Sequence, residues 1–222
     1  MKKKLVLGAL FVLPIVVYLF FASGVYNFAK LPVLTANVSD IDAFATKEGQ
    51  SESLNGKISI LCFLGDNSEV KKTNAFNLHE KIYKRFGGFN DLQFIMLFPD
   101  GTNKKVEELM QELGQYSDVS GWKLLYGTPE ELQLMHSSLK TGGSLDSHSA
   151  TPYAYIIDTE LNLRGRTDDE DYGKLYGYDA TSVADLNNKM IDDVKVILAE
   201  YRLALKKYDK TSTRDSYLKK TN

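Results

Sequence analysis

The chain has 222 residues, with 27 basic and 29 acidic side chains and a net charge of −2, a balance without the basic excess that nucleic-acid binding needs. Its single cysteine, Cys62, excludes an intrachain disulfide. Beyond an apolar N-terminus, roughly 190 residues remain, enough for one domain with its own core.

Lys2, Lys3 and Lys4 precede an uncharged stretch from Leu5 to Ala22, and the next charged side chain is Lys30. At 1.5 Å rise per residue, residues 5–25 extend about 30 Å, the thickness of a bilayer's hydrocarbon core. They are predicted to form a single transmembrane helix that tolerates Pro14. The lysines keep residues 1–4 cytoplasmic and send everything after Tyr26 to the periplasm or an equivalent exported space. The expected location is thus the cell membrane, with lipid as a partner of this helix. A cleaved signal peptide is the competing reading, because a basic start, an apolar stretch and Ala22-Ser23-Gly24 resemble its three parts. The apolar stretch exceeds the usual h-region of about 7–15 residues, which favours retention. No cysteine near its end offers a lipoprotein attachment site.

Residues 26–55 read as a juxtamembrane connector, with Leu31-Pro32-Val33-Leu34 as a short edge element and a polar run from Thr46 to Ser53. The globular domain is expected over 56–208. Ile58 to Leu64 and Leu92 to Phe98 are nearly continuous apolar runs of the kind found in strands covered on both faces. Between them, Leu78, Ile82 and Phe86 at four-residue spacing, closed by Gly87-Gly88, predict a helix over 69–86. Strand, helix and strand make a right-handed parallel unit.

A second helix is expected over 104–116, with Val106, Leu109, Met110 and Leu113 on one face. The short segment Trp122–Gly127 leads to a helix start at Thr128, where a capping threonine, Pro129 and Glu131 form a capping-box pattern. Tyr153–Asp158 and Leu161–Arg166 read as an antiparallel hairpin. A final helix over 182–208 carries a long apolar stripe from Val183 to Leu205 and packs on the sheet. Residues 209–222 close a basic tail, read as solvated, with attraction to anionic headgroups as the alternative.

This order is that of a thioredoxin-like domain, an α/β fold with a central mixed sheet flanked by helices. Several strings resemble the SCO/SenC family, membrane-anchored thioredoxin-like copper chaperones of cytochrome c oxidase. They are Leu31-Pro32-Val33, Gly56-Lys57, Gly121 to Gly127, Tyr155-Ile156-Ile157-Asp158, Leu163 to Arg166 with Asp168-Asp169, and Ile191 to Leu198. The resemblance implies a membrane protein partner, an oxidase subunit or assembly factor. It also implies a Cys-x3-Cys pair after the first core strand and a distant histidine, which together hold copper. Counted from Gly56-Lys57, those two positions fall on Ser68 and Lys72. A hydroxyl is a poor ligand for Cu(I) and an ammonium repels a cation, so copper transfer and dithiol exchange are both in doubt.

His148 lies near the position of the family's histidine and is the one candidate metal ligand; the alternative is an ordinary surface histidine. Thr151-Pro152 precedes a strand as the cis-proline of thioredoxin-like proteins does, making Pro152 the cis candidate. Cys62 lies within a strand and reads as a small buried hydrophobe rather than a reactive thiol. His79 and His136 read as ordinary helix residues. The run Asp168 to Asp171 reads as a solvated loop, with divalent-cation attraction as the alternative. Tyr172, Tyr176 and Tyr178 read as loop packing or as a recognition surface. No catalytic centre is visible. The expected function is a redox-inactive, membrane-tethered SCO-like protein without a cofactor, acting by contact in oxidase biogenesis. The alternatives are copper binding through His148 with ligands foreign to the family, and a single-thiol exported redox protein using Cys62.

Overall fold

The computed structural model describes residues 2–22, 30–66, 68–116 and 118–218. Helix α1, Lys2–Ala22, is 21 residues long and contains Pro14. Its apolar side chains from Leu10 to Phe21 are exposed on every side. Among the described residues no helix is long and apolar enough to cross a membrane, so a spanning role for α1 rests on its sequence. Residues 23–25, the end of the expected span, lie outside the described residues.

The central sheet contains seven strands. Its path runs β1 (Val33–Thr35), β6 (Leu163–Arg164), β5 (Ala150–Ile157), β2 (Ile58–Leu64), β3 (Leu92–Pro99) and β4 (Trp122–Gly127), with β9 (Tyr178–Asp179) also paired to β5. Strands β2, β3 and β4 are parallel, whereas β5 is antiparallel to β2 and β6 to β5. A separate pair, β7 (Arg166–Asp169) and β8 (Gly173–Leu175), follows the hairpin.

Every residue of β2 and β3 is buried, as the continuous apolar runs predict. The two-residue pleat divides them between faces. Ile58, Ile60, Cys62, Leu64, Phe94, Met96 and Phe98 join one core with Leu78, Leu109 and Ile197. Leu61, Phe63, Ile95 and Leu97 join the other with Leu132, Met135 and Leu139. Helix α2 (Ser68–Leu78), α4 (Asn103–Gly114) and α7 (Ile191–Leu218) serve the first face, and α5 (Pro129–Ser138) the second.

The helix expected over 69–86 is interrupted. Alpha-helical turns in α2 give way to a π-helical turn at His79–Tyr83 and resume in α3, Lys84–Phe86. The final helix has the same device: α6 (Val183–Asp185), a π turn at Leu186–Met190, then α7. Helical structure in α7 continues to Leu218, into the expected basic tail. Helix α5 begins where its pattern places it. The Thr128 hydroxyl accepts from Glu131 N at 3.2 Å, and Glu131 accepts from Thr128 N at 2.8 Å. Thr128→Ala is expected to cost about 1 kcal/mol in a urea melt, the usual worth of an N-cap.

The connector is more than a tether. Val38, Ile41, Phe44 and Leu54 are buried in the second core. Its β1 pairs with β6 at one edge, while Ala45 exchanges backbone hydrogen bonds with Tyr126 of β4 at the opposite edge. Asp40 accepts from Ile41 N, Leu54 N and Ser53 Oγ, and these bonds hold its carboxyl below the usual range against the opposing effect of burial. Glu52 ion-pairs with Lys123. Residues 38–54 therefore pack on the second sheet face, while Leu31 is buried in the first core.

Candidate functional site

The end of β2 is where the family resemblance calls for chemistry. Gly65 follows the strand with φ +64°, and a Cβ built there would lie 2.3 Å from His148 O and 2.6 Å from Ala150 Cβ. Only glycine permits this approach, which brings the segment before β5 against the loop after β2. Across the junction Asp66 N donates to His148 O at 3.2 Å. His148 Nδ1 lies 2.7 Å from Asp66 Oδ1, with both side chains partly exposed. The segment is held by a further turn, in which Asp146 Oδ1 accepts from His148 N and Ala150 N at 2.9 Å each.

The two positions that the resemblance aligns with the family's cysteines lie on α2. Ser68 is its first residue, two positions after Asp66. The Lys72 ammonium pairs with Glu112 Oε1 of α4 at 2.9 Å. Lys105, also on α4, donates to Asp66 O at 3.2 Å. The structure thus brings His148 and the Lys105 ammonium together at Asp66, two positions before Ser68. Among the described residues no three His, Cys, Asp or Glu side chains are grouped to hold a metal ion.

The cis-proline expectation is corrected. No cis peptide bond occurs among the described residues, so Thr151–Pro152 is trans. Both residues belong to β5, where Pro152 O accepts from Ala180 N at 2.9 Å; extended strand backbone needs no cis turn there.

Cys62 lies in β2 between Met96 of β3 and Ala154 of β5 and is 3% exposed. Burial pushes its thiol well above the ordinary value, which removes the thiolate that reacts and ligates. A thiol reagent is expected to leave Cys62 unlabelled in the native protein and to label it fully in denaturant. Rapid native labelling would contradict its place in the core.

The acidic run is not uniformly solvated. Asp169 is buried, and the Lys189 ammonium reaches Asp169 Oδ1 at 2.8 Å and Asp171 Oδ2 at 2.7 Å. Burial acts to raise the Asp169 carboxyl, but Lys189 and the amides of Asp171 and Tyr172 hold it below the usual range. Arg166 forks onto Asp193, with Nε–Oδ2 at 2.7 Å and Nη2–Oδ1 at 3.0 Å. The Tyr178 hydroxyl donates to Asp193 Oδ2 at 2.7 Å, so Tyr178 is a buried part of this network rather than of a recognition surface. Tyr172 is exposed and Tyr176 half-buried.

His79 and His136 sit at helical positions, as expected, and both are fully covered. His79 stacks on Tyr83 at 5.2 Å between ring centroids. His136 faces Tyr155, with Nε2 3.1 Å from its hydroxyl. Burial lowers the affinity of both imidazoles for a proton.

No protein-family model and no curated protein sequence matches the chain. Solved structures do. A SCO1/SenC family lipoprotein from Bacillus anthracis str. Ames matches with a TM-score of 0.54 and 19% identity over 79% of this chain and 99% of that one. BsSco, a member of the Sco family of cytochrome c oxidase assembly proteins in which a disulfide switch has been identified, matches with a TM-score of 0.53 and 15% identity over 76% and 98%. The chain therefore has the thioredoxin-like fold of the solved Sco proteins, the fold its sequence strings resemble.

Proposed function

We propose that this chain is a membrane-tethered, exported SCO-like protein that acts by contact with a membrane protein in cytochrome oxidase biogenesis, without thiol exchange or copper transfer. The observation that carries the reading is the loop after β2. Where the resemblance calls for two thiolates, the positions are Ser68 and Lys72, and Lys72 is engaged with Glu112. Cys62 is sealed in the sheet and offers no substitute. The architecture is retained although the chemical groups are not.

Tethering is supported by α1. A helix apolar all round finds its partner in lipid or in another apolar surface, and the three lysines before it fit a cytoplasmic end. Such confinement raises the effective concentration of a membrane-bound partner for a domain of modest affinity. Proximity labelling from the full-length membrane-bound chain tests the partner. Enrichment of oxidase subunits or their assembly factors is the expected result, and a labelled set without either would overturn the oxidase assignment.

One observation favours copper binding as a second reading. A carboxylate on one ring nitrogen commonly orients a metal-binding histidine, and Asp66 on His148 Nδ1 leaves Nε2 as the nitrogen for a ligand bond. A partner protein or methionine would have to complete the site. Copper binding that disappears in His148→Ala is the result that would establish it.

A further inference from the structure

Helix α7 continues to Leu218, so the basic residues after Tyr201 are carried on helical backbone. Its first turns pack Ile191, Val194, Ile197 and Leu198 into the core, with Tyr201 against them. At about 100° per residue, the packed side centres about 180° from an arc that carries Leu203, Lys206, Lys207, Lys210, Arg214 and Leu218. Asp209 and Asp215, the acidic residues between 203 and 218, fall outside that arc. We propose that the arc lies on the acidic phospholipid headgroups of the membrane that holds α1, which rests on the tether proposed above.

Charge is the first argument. The four cations between 203 and 218 all fall on one side of the helix, whereas a helix end that only needs solvation can carry them all round. Upstream the same side is not basic, since Asp192 lies on it, paired with Lys195, and Ala199 is exposed. The basic character therefore begins where packing on the domain ends, at the exposed Leu203 and Lys206. Tyr217 falls on the arc as well. Cations interleaved with leucine and tyrosine on one helical side are the composition of a helix lying in the headgroup region, with ammonium and guanidinium groups on phosphates.

Position is the second, independent argument. The Arg164 guanidinium donates from Nε to Leu31 O and from Nη2 to Glu200 Oε2, at 2.7 Å in each case. One side chain thus fastens the chain that leaves α1 to the point on α7 just before the basic arc. From Ala22 to Leu31 the chain takes nine steps, which reach at most about 32 Å. Residues 200–218 cover about 27 Å of helix. The basic segment is therefore held within reach of the surface from which α1 emerges, at a high effective concentration of headgroups. Acidic lipids give a bilayer surface the negative potential that attracts basic segments beside a membrane span.

The test is amide hydrogen exchange of the full-length chain in nanodiscs of phosphatidylcholine alone and of an equal mixture with phosphatidylglycerol. Amides of residues 207–218 are expected to exchange at least about fivefold more slowly in the mixed discs, while those of β2 and β3 exchange alike in both. The triple variant Lys206→Gln, Lys210→Gln, Arg214→Gln leaves the core-packed side of α7 untouched and is expected to lose the difference. Lys57→Gln, Lys104→Gln, Lys174→Gln removes the same charge from exposed positions elsewhere and is expected to keep it. Exchange at 207–218 that ignores lipid composition while α1 amides stay protected would overturn the proposal alone. Free exchange of α1 amides in both discs would overturn the tether and the proposal together. Equal loss in the two triple variants would also overturn it, since net charge rather than the arc would then be responsible.

Discussion

Gly65→Ala is expected to destabilise the domain by about 2–5 kcal/mol, measured as the shift in a urea or thermal unfolding curve. Two costs combine. At φ +64° an L-residue pays about 1–2 kcal/mol, and forcing atoms into a packed site adds about 1–3 kcal/mol. The clash is with the His148 carbonyl oxygen and Ala150, both part of the segment entering β5, so no flexible side-chain end can move aside. Gly56→Ala separates the two costs, because Gly56 has φ +83° and open space around the added carbon. That control is expected to lose only the conformational cost. Equal effects at the two glycines would show that the junction between β2 and the His148 segment is loose.

Arg164→Met should cost about 3–5 kcal/mol, the usual consequence of removing one partner from a buried ion pair. Arg164 is 8% exposed. Its Nη1 reaches Asp158 Oδ2 at 2.9 Å, Nη2 reaches Glu200 Oε2 at 2.7 Å, and Nε donates to Leu31 O at 2.7 Å. One side chain thus joins the connector, the β5–β6 hairpin and α7. The Asp158 carboxylate would remain, still accepting from Glu160 N and Asn162 N but without a counter-charge. Adding Asp158→Asn to Arg164→Met is expected to return part of the loss, because the uncompensated charge is then gone. If the double variant is as unstable as the sum of the singles, the pair contributes through packing rather than charge.

Much of the fold was legible because the dominant signals are local. The buried strands β2 and β3 declare themselves as unbroken apolar runs, and the start of α5 as a capping box with proline behind the cap. Nothing local in the connector announces its burial, because Val38, Ile41, Phe44 and Leu54 follow neither a two-residue nor a helical period. They lie on irregular chain draped over a sheet, and only the sheet's position explains their burial. Asp169 misled in the opposite direction: its neighbours in sequence are acidic, whereas the ammonium that neutralises it belongs to Lys189, on a distant helical turn.

The candidate site shows the same division. That Ser68 and Lys72 occupy the positions the resemblance gives to cysteines, and that His148 falls near the same end of the sheet, follow from sequence order and spacing. That His148 is held by Asp66, or that Lys72 turns to Glu112, depends on the approach that Gly65 permits and on the packing of α4 beside α2. Pro152 carried the appearance of a cis-proline in its sequence neighbours, yet it is trans because it continues a paired strand.

The proposed absence of copper chemistry is tested most directly by titrating the full-length chain with Cu(I) under reducing conditions, in competition with a chromogenic chelator. A chain without the thiolate pair is expected to leave the chelator complex intact, and His148→Ala to behave like the parent. Withdrawal of one equivalent of Cu(I) by the parent, abolished in His148→Ala, would contradict a purely contact-based role and identify His148 as a ligand.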